Sequence, residues 1–170
     1  DQQGRIMWSW HIWCTDLPAD QVYMANKYGN SYTFMDRSLG ATSALDDTGS
    51  LGMSYQWGRK DPIPGSSKFY DMTEPTLYGS VTKVSVAAST GTIANAIQNP
   101  VTFLKAADWL FAGRNNYLWG NPQGEEELTA THQKSIYDPC PPGYRIPGKD
   151  AFSIFTKTGE NTTDPAQHNV

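Results

Sequence analysis

Cysteine and histidine are scarce in this chain, at two and three among 170 residues, and only 18% of residues are charged. No apolar run approaches the roughly 20 residues that a membrane-spanning helix requires, which excludes such a helix. No cluster of four Lys or Arg exists, and the acidic clusters are Glu125 to Glu127 and Asp46-Asp47, within a net charge of −4. That balance offers no footprint for a phosphate backbone, so nucleic acid is not an expected partner. The basic-then-apolar order of a signal peptide is also missing, and Asp1-Gln-Gln-Gly4 reads as a processed or chosen start, which leaves the compartment open. Cys14 and Cys140 are compatible with one long-range bridge and equally with buried free thiols.

What the chain has in quantity is rings and turn formers: 6 Trp, 9 Tyr, 6 Phe, 15 Gly and 11 Pro. Together they favour a loop-rich domain with an aromatic core. With 38% hydrophobic residues and no repeat, low-complexity tract or linker, a single domain over 1–170 is expected. The pattern predicts an α+β fold with an antiparallel sheet, short helices near 92–98 and 149–157, and about 40% or more of residues in irregular loops.

Read with period two, Arg5 to Cys14 puts Trp8, Trp10, Ile12 and Cys14 on one face and predicts a core strand. Ser31 to Arg37 predicts a second strand, entered from Tyr28-Gly-Asn30 and left through Leu39-Gly-Ala41, while Asp16 to Lys27 reads as a loop. Ser50 to Gly58 is compact and aromatic. Arg59 to Pro75, with three prolines, reads as a long irregular excursion. Thr82 to Ala87 alternates like a strand, and Thr92 to Gln98 is a short helix stopped by Asn99-Pro100.

The segment Tyr137-Asp-Pro-Cys140-Pro-Pro-Gly143-Tyr-Arg-Ile-Pro147 is the densest in backbone instruction. Its four prolines fix φ and remove amide donors, and Gly143 permits φ above zero, so the stretch is a rigid corner rather than helix or central strand. Cys140, Pro141 and Gly143 are therefore read as structural. Past the corner, Ala151, Ile154 and Phe155 fall at i, i+3 and i+4 and predict a short amphipathic helix. Trp8, Trp10, Tyr55, Trp57, Trp109 and Trp119 are expected to be buried and to gather around the corner.

Four motifs in order, Trp8-Ser-Trp-His-Ile-Trp13, Tyr32-Thr-Phe-Met-Asp-Arg-Ser-Leu-Gly-Ala-Thr42, Tyr55-Gln-Trp-Gly-Arg-Lys-Asp-Pro62 and Ser135-Ile-Tyr-Asp-Pro-Cys-Pro-Pro-Gly-Tyr-Arg-Ile-Pro147, resemble the Fibrobacter succinogenes major paralogous domain. Asp16 to Asn30, Lys68 to Ala106 and the tail after Phe155 match it only loosely. In Bacteroidales this domain occurs in fimbrillin-like surface proteins. The resemblance implies a C-type-lectin-like fold, related to that of formylglycine-generating enzymes, and an extracellular, outer-membrane-attached or pilus-associated setting. It implies a non-catalytic recognition or adhesion module, or else a structural envelope or pilus component; an enzyme is the third alternative. Glycan or protein ligands and other pilus subunits are the partners it implies. Members continue past the corner helix with further strands, a Trp-Ser-Ser-type motif and a late cysteine. The polar tail Thr158 to Val170 reads as the start of a loop, so the expectation is a chain that leaves a strand edge for the rest of the parent protein to cover.

For binding, Arg114, Asn115, Asn116 and Tyr117 are the candidates, since guanidinium, amides and a ring lie close together as in carbohydrate or protein recognition. Asp36 and Arg37, like Arg59 and Asp61 around Trp57, are read as structural pairs pinning loops. No catalytic residue, metal ligand set or cofactor is assigned. His11 and Cys14 fall on opposite strand faces, His132 lacks ligand-type neighbours, and Asp164 and His168 sit in a loose tail; His11 reads as a partly buried, hydrogen-bonded strand residue. A nucleophilic Cys140 would need a base and a depressed pKa, and a cysteine between prolines reads as structural. Calcium-binding signatures of animal C-type lectins are absent from the sequence.

Overall fold

Prolines and turn-forming glycines leave room only for short elements. A computed structural model describes residues 1–23, 29–63, 81–120, 133–160, 162 and 164–168. The strands are β1 (Asp20–Tyr23), β2 (Tyr32–Met35), β3 (Ser54–Tyr55), β4 (Pro62–Ile63), β5 (Thr82–Ser85) and β6 (Thr102–Lys105), and the α-helix is α1 (Ile93–Gln98). Short 3-10 helices lie at Thr48–Ser50, Asn116–Trp119, Lys149–Phe155 and Pro165–Gln167. The class is α+β, as expected. The long excursion expected after Arg59 lies outside the described residues from 64 on, as do Tyr28, Glu125 to Glu127 and His132.

Among the described residues the strands pair as three two-stranded sheets rather than one. β1 with β2 and β3 with β4 are antiparallel, as expected, whereas β5 and β6 are parallel, a pairing outside that expectation. The physical reason is α1, which carries the chain back so that both strands run the same way, the βαβ connection that parallel pairing requires. Helix α1 begins and ends where its sequence says. The Thr92 hydroxyl accepts the Asn95 N–H at 3.1 Å, Asn99 donates its N–H to the Asn95 carbonyl, and Pro100 cannot continue the ladder.

Ala96, Leu104, Trp109 and Leu118 form the buried centre, with Val84, Val86, Ile93, Leu110 and Tyr137 packed on it. Arg59, only 3% exposed, joins this core to the β3–β4 hairpin. Its guanidinium donates to the Thr102 carbonyl at 2.7 Å, the Gln56 side-chain oxygen at 2.8 Å, and the carbonyls of Ala96, Asn99 and Pro100 at 3.2–3.4 Å. A cation thereby closes the C-terminal end of α1, where the orphan carbonyls and the helix dipole favour positive charge. The Trp119 indole N–H donates to the Arg59 carbonyl at 3.2 Å, and the Trp109 indole to the Trp57 carbonyl at 2.5 Å. Gly58 makes this possible, with φ +81 and Leu118 only 2.9 Å from where a Cβ would stand. Any other residue there is strained and crowded.

Several expectations are corrected. The Arg5 to Cys14 segment belongs to no strand, and its predicted core face points outward: Trp10 is 77% and Ile12 81% exposed, and Cys14 is exposed. Polar anchors on the opposite face decide the orientation. Ser9 donates to Asp61 at 2.6 Å, and the Trp13 indole donates to the Ala41 carbonyl at 2.9 Å. His11 is exposed, with its ring Nδ1 3.3 Å from the Tyr55 hydroxyl; partial burial holds its pKa below the ordinary value. Trp8 is half-buried under the Lys60 ammonium, 4.5 Å from the ring, and Lys60 pairs with Asp61 at 2.6 Å.

Of the remaining rings assigned to the core, Trp109 and Trp119 are buried and Tyr55 is half-buried. Trp57 is 38% exposed because it lies tilted on Trp119, centroids 4.6 Å apart, at the edge of the core. Strand β1 forms inside the expected loop, with all four residues exposed. The expected 149–157 helix is a 3-10 helix over Lys149–Phe155. At three residues per turn, Ala151 and Ile154 share an inward face, and Phe155 turns outward. Both cysteines are free, Cys14 exposed and Cys140 buried, so no bridge joins them.

Candidate functional site

The proline corner contains few amide donors, and one carboxylate collects two of them. Asp138, buried, accepts the Cys140 N–H at 2.8 Å and the Ile146 N–H at 2.9 Å, and pairs with the Lys134 ammonium at 2.9 Å. Lys134 also donates to the Cys140 carbonyl at 2.5 Å. Gly143 takes φ +89, and the Tyr144 N–H closes the turn on the Pro141 carbonyl at 3.1 Å. These bonds cross-brace the corner. The Tyr144 hydroxyl donates to Asp20, which fastens the corner to β1, and this carboxylate partner pushes the phenol pKa up.

At the far end of β2, Arg37 is held by Asp16 at 2.6 Å, Asp36 at 2.7 Å and the Thr15 hydroxyl at 3.2 Å. Its side chain is 5% exposed. Hydrogen bonds from Arg37 keep both carboxylates below the usual range, and they keep the guanidinium pKa raised. Asp36 and Arg37 thus pin the N-terminal segment to the strand end, the structural role read from the sequence.

Between β2 and the corner opens a cleft of about 660 Å³, walled by Tyr32, Phe34, Tyr55, Tyr144, Ile146 and Phe152. Phe34 also belongs to a ring cluster with Tyr23, Phe152 and Phe155, centroids 5.5–6.1 Å from it. Cys140 borders the cleft, but burial, and then the neighbouring Asp138, push its thiol up to about 12. A thiol that keeps its proton is no nucleophile at neutral pH. Rings, backbone and paired charges equip this cleft to hold a ligand by apolar contact and hydrogen bonding.

No family model, curated protein or solved structure matches this chain.

The residues singled out from sequence for binding lie elsewhere. Arg114 is exposed and borders a second, smaller cleft of about 390 Å³ with Gln56, Trp57, Phe103 and Asp108. The Asn115 side chain accepts the Tyr117 N–H at 3.0 Å and caps the 3-10 helix that Asn116 begins, so it is a local staple. Tyr117 is 55% exposed and does not border that cleft. Arg114 and Trp57 thus line one cleft, while Asn115 is spent on a local cap. Sequence reasoning passed over Asp138, Lys134 and Tyr144. The signal for Asp138 was its place just ahead of a donor-poor proline run, where an Asx side chain closes turns. Among the described residues, no three of His, Cys, Asp or Glu gather as a metal ligand set. No helix of the described residues is long and apolar enough to cross a membrane.

Proposed function

We propose that this protein is a non-catalytic recognition module whose binding face is the cleft between β2 and the proline corner. The observation that carries it is the wall itself: five Tyr or Phe rings in an open cleft, backed by a corner that three bonds to Asp138 brace. Rings present large contact area at low entropic cost, and preorganised walls reduce the ordering that binding requires. The buried, protonated Cys140 supports a binding role over a catalytic one.

The sequence resemblance extends this reading to a C-type-lectin-like domain of a fimbrillin-like surface protein, acting in adhesion outside the cell with glycan or protein ligands. Binding to a glycan array, compared between the wild type and Tyr55→Ala, tests it: cleft-dependent binding is the expected result. Binding unaffected by Tyr55→Ala moves the site away from this cleft.

A second reading rests on the N-terminal segment, where Met7, Trp10, Ile12 and Leu17 are 66–88% exposed. In a structural envelope or pilus component such side chains are covered by neighbouring subunits. An interface mapped onto residues 7–17 in an assembled polymer, with no ligand at the cleft, favours that reading.

A further inference from the structure

The antiparallel register fixes which backbone groups of β2 are spoken for. Asp36 donates its N–H to the Ala19 carbonyl at 2.9 Å, so Ala19 and Asp36 form a hydrogen-bonded pair. Hydrogen-bonded and non-hydrogen-bonded pairs alternate along such a ladder. Gln21 with Phe34 and Tyr23 with Tyr32 are therefore hydrogen-bonded, while Asp20 with Met35 and Val22 with Thr33 are not. The N–H and C=O groups of Thr33 and Met35 consequently point away from β1. Among the described residues, β1 is the only strand partner β2 has.

The cleft lies on that outward side. A cleft over one face of a strand touches alternate residues, because side chains alternate between faces. This one is bordered by every residue from Tyr32 to Leu39 in succession, which places it along the strand's edge. Opposite stands the corner, from Gly143 to Gly148. An edge whose outward backbone groups meet no strand among the described residues, beside a ring-lined trough, is what an added strand requires.

We infer that the cleft takes an extended polypeptide segment from a partner protein, added antiparallel or parallel to the outer edge of β2. The guest pairs with Thr33 and Met35 and is uncharged where it passes the strand. Charge argues for that chemistry: the charged lining is Asp36, Arg37 and Arg145, Arg37 is already paired with Asp36 and with Asp16 outside the lining, and apart from the Thr33 and Ser38 hydroxyls and the Cys140 thiol the rest is rings, aliphatic or thioether groups and glycine. The inference rests on the cleft being the recognition site and names the ligand class it would take.

The test is an array of uncharged nine-residue peptides alternating Val, Ile, Tyr and Thr, with the glycan array run in parallel. A peptide hit is expected to weaken at least tenfold when the alternate amides that meet β2 are N-methylated, and to tolerate methylation of the others. On the protein, Thr33→Pro removes one outward donor without touching the β1 ladder, a place where an edge strand accepts proline. It is expected to weaken the hit by a similar factor. Should that variant misfold, amide exchange on the wild type decides: the hit is expected to slow exchange at Thr33 and Met35 and leave Phe34 unchanged. Hits indifferent to both methylation series, or to the Thr33 and Met35 amides, overturn the inference. Glycan binding that needs Tyr55 while no peptide binds also overturns it and leaves the recognition reading standing; no binding of either class overturns both.

Discussion

The β5-α1-β6 unit with its hairpin and the β2-corner region spend the same residue types in opposite ways. In the first, rings go inside: Trp109 is 5% and Trp119 6% exposed, and Arg59 is buried against backbone carbonyls. In the second, rings stay near the surface: Phe152 is 52% and Phe155 36% exposed, and Arg37 sits between two carboxylates at a strand end. One region makes the fold; the other presents a shaped surface on it. An aromatic-rich composition alone does not distinguish the two uses.

The largest expected effect separates two tryptophans. Trp109→Ala empties the centre of the core and should cost about 3–5 kcal/mol, whereas Trp10→Ala, on an exposed face, should stay within about 0.5 kcal/mol. Chemical denaturation of both variants checks this, and equal losses would erase the contrast.

Next comes the corner. Asp138→Ala strands the Cys140 and Ile146 amides and should destabilise by about 1–3 kcal/mol for each donor left unpaired. Thiol labelling gives a local readout: in the native wild type only Cys14 should react quickly at neutral pH, and in the variant Cys140 should join it.

Alkaline pH sharpens the same point. The folded Cys140 pKa lies above its ordinary 9.0, so the folded state holds the proton more tightly than the unfolded one. Its stabilising contribution is complete below pH 9 and is lost as pH rises from there towards 12. Cys140→Ser, compared with wild type across that window, should show a flatter decline in melting temperature.

The smallest effect belongs to Asp16→Asn at the rim, where the carboxylate is 72% exposed. Because Arg37 holds the Asp16 pKa below 3.8, the stability it lends is present above that value and is lost as pH falls below it. The variant should melt slightly lower than wild type at pH 7 and indistinguishably at pH 2.

Legibility followed the same divide. Helix α1 was readable from Thr92 and Asn99-Pro100, β2 from Tyr32 to Met35, and the corner from its prolines and Gly143, because each is specified by local backbone rules. The orientation of Arg5 to Cys14 was not, since Ser9 and Trp13 anchor it through partners 52 and 28 residues away. Nor was β1, all four of whose residues are exposed, so no buried face marks it in the sequence. The parallel pairing depended on where α1 returned the chain. Arg114 to Tyr117 looked like a site because its polar groups adjoin in sequence, but Asn115 spends its side chain on a cap.

Arg59 has a consequence for the order in which the chain is made. Its hydrogen bonds reach residues 96–102, and Trp119 reaches back to its carbonyl from 60 positions downstream. At about 5–20 residues per second, a ribosome takes roughly 2–12 s to supply the partners 37–60 residues after Arg59. Throughout that interval the Arg59 guanidinium keeps its water in place of the carbonyls that later accept from it, and the core cannot close. Folding of this half is therefore timed by the arrival of α1 and Trp119 rather than by the hairpin itself.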